Sequence, residues 1–186
     1  MAAVVALPAF ALELTSSVAE DEVPEKKRTS LGLYLNVQDA AAALEADPSI
    51  VFIDVRDPVE ATLVGHPDPV DAFVPLQTIT HEFNAEKGVY KSAPNPTFLV
   101  DVASVLEREG KSMGDAILIT CRGGSVTAKA VNALSEAGYT NVWALYEGFE
   151  GGLDPETDHR TVDGWKNAGL PWSYKITEAQ AWVPAD

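Results

Sequence analysis

The chain is poor in cysteine, in basic residues and in long apolar runs, and each shortage removes a class of function. One cysteine in 186 residues leaves no partner for an internal disulfide and too few thiolates for a multi-cysteine zinc site. Histidine is nearly as sparse. His66, His81 and His159 stand apart, with no Cys, Asp or Glu at metal-ligand spacing, so neither a metal nor a cofactor is expected. Lys and Arg total 13 against 28 Asp and Glu, a formal net charge of −15. Nucleic acid and anionic membrane surfaces both need a basic face, so neither is expected as a partner. The apolar run at residues 2–11 is too short to cross a bilayer, and no membrane span is expected.

What is present describes a folded α/β domain. Hydrophobic residues make up 46% and charged residues 22%, enough to build one full core at this length. The run at residues 2–11 ends in Ala9-Phe10-Ala11, the small-x-small form of a signal cleavage site. It predicts export to the periplasm or beyond, with a buried element in a cytoplasmic protein as the alternative. Its basic n-region is missing and would lie upstream. Residues 13–30 are polar and carry Pro24, which predicts a poorly packed linker, with Lys26, Lys27 and Arg28 as a solvated run. The organisation expected is a leader and linker at 1–30, one domain at 31–175 and a tail at 176–186.

Within that domain, residues 37–46 have helical spacing and stop at Asp47-Pro48, and Asp57-Pro58 opens a short helix. Residues 50–53 and 116–120 are unbroken apolar runs, as in strands covered on both faces. Residues 72–74 and 141–145 are further strand candidates. Residues 97–109 and 125–137 are helix candidates, the first with Phe98, Val102, Val105 and Leu106 on one face, the second stopped by Gly138. Residues 76–96, rich in proline, predict a long irregular insertion, residues 147–164 a loop, and residues 163–168 a last short helix. Strands alternating with helices imply a mainly parallel sheet, whose ligands gather at the carboxyl ends of the strands.

Two features fall there. One is Asp54-Val55-Arg56, after the first buried strand. As rim residues they would shape the site; as an ion pair they would tie strand ends together. The other is Cys121-Arg122-Gly123-Gly124-Ser125-Val126-Thr127, between a strand and a helix. The glycines let the backbone curl with its N–H groups inward. The following helix adds partial positive charge at its N-terminus, and Arg122 adds a full charge if it turns inward. All three favour a thiolate, the nucleophilic form, and would hold a sulfur anion attached to it. The pattern therefore suits a cysteine that accepts and passes on a group covalently. The bland alternative is a buried structural cysteine.

CRGGSVT resembles the active-site loop of the rhodanese family, Cys-Arg-x-Gly-x-Arg-Ser/Thr. Asp54, Arg56, Gly65 and His66 resemble that family's Asp-x-Arg and Gly-His landmarks. AGYTNVWALYEG resembles its Gly-Tyr-x-Asn-Val stretch, with Glu147 where a Gly usually stands, and WKNAGLP resembles its closing Trp-x-x-x-Gly-x-Pro. The resemblance implies one domain with a five-stranded, mainly parallel sheet and helices on both faces. It implies sulfane-sulfur transfer through a persulfide on Cys121. The backbone of Arg122, Gly123, Gly124, Ser125, Val126 and Thr127 would bind the transferred sulfur, and Arg122 would orient an anionic donor. The donor would be thiosulfate or a thiol persulfide, and the acceptor cyanide or a thiol, small or on a protein partner.

Val126 departs from the pattern, because a cation or polar residue usually stands there. With a net charge of −15 as well, a dianionic donor is expected to meet a less welcoming field. A sulfur carrier or interaction module without turnover is the alternative function. Phosphatases and arsenate reductases of this fold use a loop of the form Cys-x5-Arg, and its arginine would fall at Thr127.

Overall fold

The computed structural model describes residues 14–184. The signal-like run at residues 2–11 lies outside them. The strands are β1 (Tyr34–Leu35), β2 (Val51–Asp54), β3 (His66–Pro67), β4 (Ala72–Phe73), β5 (Gln77–Asn84), β6 (Val89–Pro94), β7 (Ile117–Thr120), β8 (Val142–Leu145) and β9 (Trp172–Ser173). The helices are α1 (Val37–Ala46), α2 (Pro58–Val64), α3 (Phe98–Arg108) and α4 (Ser125–Glu136).

Five strands form one parallel sheet in the order β1-β8-β7-β2-β4. The expected fold class is the one observed. Successive side chains on a strand point to opposite faces, so Ile117 and Ile119 enter the core beneath α3 and α4, while Leu118 enters the core beneath α1 and α2. Asn36 caps α1 by accepting from the Asp39 N–H, and Asp57 caps α2 by accepting from the Val59 N–H. Among the described residues no helix is long and apolar enough to cross a membrane.

Three expectations are corrected. Residues 76–96 are not irregular: β5 and β6 form an antiparallel hairpin, with Phe83 opposite Tyr90 and their rings 5.9 Å apart. Pro75 precedes β5, Pro94 ends β6 and Pro96 follows it, so none interrupts a strand, which a count of prolines does not reveal. Residues 163–168 form turns, not a helix, closed by Ala168 N–H to the Gly164 carbonyl at 3.0 Å.

The segment from Leu14 to Ser30 is not loose either. It makes two single 3-10 turns, Glu20–Glu22 and Glu25–Lys27, and Val23 is buried in the core. Its anchors are Tyr34, whose hydroxyl accepts from the Thr29 N–H at 2.7 Å, and Asn132 on α4, whose Oδ1 accepts from the Ser30 N–H at 2.8 Å. A polar strap of this kind is held by partners far along the chain, and local composition carries no trace of them. The tail is tied down as well: Trp182 Nε1 donates to Asp101 on α3 at 2.9 Å.

Candidate active site

The loop after β7 turns back immediately into α4. Gly124 occupies the cap position with φ +93° and, being glycine, offers no side chain to the first turn. The sulfur of Cys121 takes that role. Sγ accepts from the Gly124 N–H at 3.1 Å and from the Thr127 N–H at 3.3 Å. Arg122, Gly123, Ser125 and Val126 line the cavity above. Cys121 is 2% exposed, yet it forms part of the floor of that cavity, about 910 Å³ in volume.

The loop is braced from below. The Phe149 N–H donates to the Cys121 carbonyl at 2.8 Å, and the N–H groups of Glu150 and Gly151 both donate to the Arg122 carbonyl. Residues 147–164 are therefore a loop that supports the site. Within it Leu153 and Arg160 pair across a single antiparallel bridge. This returns Arg160 to the cavity, where Nη1 lies 2.7 Å from the point a Cβ on Gly123 would occupy.

Asp54 and Arg56 form a buried ion pair, with Arg56 Nε 3.0 Å from both carboxylate oxygens. Asp54 is fully buried and does not reach the rim. It holds Arg56, which donates to the Gly65 carbonyl, lies 4.8 Å over the Phe149 ring and presents one edge to the cavity. Arg122 does not turn inward: its side chain is half-exposed at the mouth, 3.7 Å from Glu60. The ring nitrogens of buried His66 lie 2.9 and 3.1 Å from the Pro67 and Lys175 carbonyls, away from the sulfur, which makes it a structural residue. Among the described residues no group of three or more His, Cys, Asp or Glu could hold a metal ion.

Charge around the cavity runs against the charge of the chain. Lys26, Lys27, Arg56, Arg122 and Arg160 line it, five of the 13 basic residues, against two carboxylates, Asp57 and Glu60. Total charge does not say where the cations converge. Sequence reasoning missed Lys27 and Arg160, which come from a supposed solvated run and a supposed featureless loop. It also missed the β5–β6 hairpin, whose Gln77, Ile79, Val89, Tyr90 and Ser92 wall one side of the cavity.

Glu147 explains one departure from the expected pattern. Its carboxylate accepts from the Val37 N–H at 3.1 Å and so caps the first turn of α1. Burial pushes its carboxyl above the usual carboxylate range, and nearby Asp163 adds to the shift. A raised pKa in the folded state means that the folded chain holds the proton more tightly than the unfolded one. The stability tied to that proton is present below the unfolded value and is lost as pH rises through the folded value. Glu147→Gln keeps the acceptor oxygen for Val37. It is expected to stabilise the protein at roughly pH 7.5, by less than about 1 kcal/mol for a half-buried group, with the gain vanishing near pH 4. Urea denaturation at the two pH values measures this.

An open parallel sheet with a cysteine-headed loop at the carboxyl end of a central strand, capped by the helix that follows, defines an α/β domain with a cradled, cavity-facing thiol. A family model for the rhodanese-like domain matches residues 36–154, and the chain belongs to that family. The uncharacterized protein RP600 of Rickettsia prowazekii is 28% identical over 124 residues, which cover 66% of this chain and 82% of that protein. Among solved structures, Rv0390 of M. tuberculosis is similar with a TM-score of 0.56 and 28% identity, over 76% of this chain and 97% of that one. A thiosulfate sulfurtransferase of Pseudomonas aeruginosa gives 0.55 at 18% identity, over 83% of this chain and 22% of that one, a likeness of fold.

Proposed function

We propose that this protein is a sulfurtransferase that carries sulfane sulfur as a persulfide on Cys121. The observation that carries the reading is the pair of N–H groups, Gly124 and Thr127, directed at Sγ on the cavity floor. Donors of this kind, at the N-terminus of α4, suit a sulfur that carries a transferred group.

With thiosulfate, the thiolate attacks the outer sulfur and forms a new S–S bond. The S–S bond of the donor breaks, and sulfite leaves with the bonding pair. The terminal sulfur of the resulting persulfide is anionic and extends into the cavity, toward its cations. Cyanide, or a thiolate, then attacks that sulfur. Thiocyanate or a new persulfide leaves, and the Cys121 thiolate is restored. A thiol persulfide as donor follows the same path, with a thiolate as leaving group. Five cations against two carboxylates around the cavity support an anionic donor, even though Val126 is uncharged.

A second reading, in which the acceptor thiol belongs to a partner protein, is favoured by the hairpin. Ile79, Val89 and Tyr90 wall the cavity and, with Phe83, remain exposed beside it. The test is formation of thiocyanate from thiosulfate and cyanide, together with the intact mass of the protein after donor alone. One added sulfur atom with turnover supports the enzyme, and added sulfur without turnover supports a carrier. Neither outcome with any donor defeats both.

A further inference from the structure

Among the described residues, two cations at the cavity, Lys26 and Lys27, have no acceptor of their own. Arg56 is neutralised by Asp54, Arg122 faces Glu60, and Arg160 donates to the Gly151 carbonyl. Lys26 is exposed. Lys27 is only 7% exposed, and among the described residues its ammonium makes no hydrogen bond or ion pair. The carboxylates that act on it, Asp163 and Glu147, do so from a distance. Burial pushes the Lys27 pKa down, while Asp163 and, after it, Cys121 push it back up.

Its position is fixed by the strap. Val23 on one side and Thr29 on the other are buried, and the Lys27 N–H donates to the Pro24 carbonyl at 2.7 Å. The side chain passes over the active-site loop, with Cδ 2.9 Å from where a Cβ on Gly124 would stand, so it runs across the residue whose N–H reaches the sulfur. Lys27 also lies outside residues 36–154, the span the family model matches.

We propose that Lys27, delivered by the N-terminal strap, holds the negative charge of the sulfur donor against Cys121 and supplies the cation that Val126 lacks. This rests on the sulfur-transfer reading for the identity of the ligand, but not for the electrostatics, and the two are tested separately. In the full chain, Cys121 is alkylated with iodoacetate and with iodoacetamide, one anionic and one neutral, and the two rates are followed by intact mass. Lys27→Met is expected to lower the iodoacetate-to-iodoacetamide rate ratio about tenfold, Lys27→Arg to keep it within about threefold, and Lys129→Met, which removes an exposed charge away from the cavity, to leave it unchanged.

With thiosulfate, Lys27→Met is expected to raise KM about tenfold with a smaller change in kcat. A ratio in Lys27→Met within about twofold of the unaltered protein overturns the proposal. A lowered ratio in a protein that takes no sulfur from thiosulfate leaves the anion site standing and removes only the sulfur-donor reading. Because the Lys27 ammonium makes no hydrogen bond or ion pair among the described residues, the melting temperature is expected to hold. If Lys27→Met and Lys27→Gln both lose cooperative melting, Lys27 is a packing residue and the proposal fails.

Discussion

Cys121→Ser is expected to abolish sulfur transfer, with a loss of at least about 10⁴-fold, because a serine hydroxyl is not ionised near neutral pH and forms no persulfide. The added sulfur mass that follows donor treatment is expected to vanish with it. The fold is expected to survive. Serine Oγ can accept from the same Gly124 and Thr127 N–H groups that now meet Sγ, and exchanging one acceptor for another changes stability by about 1 kcal/mol or less. Thiocyanate formation, intact mass and thermal melting separate the two effects. Turnover by the serine variant would remove Cys121 from the chemistry and leave the cradle without a role.

Gly124→Ala is expected to damage the fold and the site together. The added Cβ would sit 2.0 Å from the Tyr146 carbonyl oxygen and 2.9 Å from both the Tyr146 carbonyl carbon and Lys27 Cδ. The carbonyl is backbone and cannot rotate away as a side-chain tip would. The residue also holds φ +93°, where a side chain is strained. Relieving the overlap moves the Gly124 N–H off the sulfur, so stability and activity fall together. A loss of about 3 kcal/mol or more is expected, read as a drop in the urea midpoint at unchanged slope. Gly110→Ala is the comparison. Its φ is +67°, but a Cβ there meets nothing within 4 Å, so about 1 kcal/mol from the backbone alone is expected.

Much of this site is legible in the chain because its parts are local. Cys121, the two glycines and the helix that starts at Ser125 are consecutive, so the cradle follows from short-range geometry. Residues 50–53 and 116–120 announce buried parallel strands by their unbroken apolar runs, and the site falls at their carboxyl ends. The Asp54–Arg56 pair was open between a rim and a tie. Two residues of spacing allow either; complete burial makes Asp54 a tie, whereas Arg56 also lines the cavity.

The remainder was hidden because it depends on distance in space. Lys27 stands 94 positions before Cys121 and Arg160 stands 39 after it. Each sits in a stretch whose composition suits solvent equally well. The hairpin was concealed by prolines that turned out to bracket its strands. Total charge is silent for the same reason: it is a sum over the whole chain, and a field inside a cavity depends on which few charges face it.

By itself the order of residues determined the parallel α/β core, the strand-to-helix turn and the place of the one cysteine, since each rests on periodicity or on adjacent backbone conformations. Only the tertiary structure decided the walls of the site, the inward cations and the half-exposed place of Arg122. Those rest on packing between segments far apart in the chain, where burial and charge are properties of a position in space and not of a residue type.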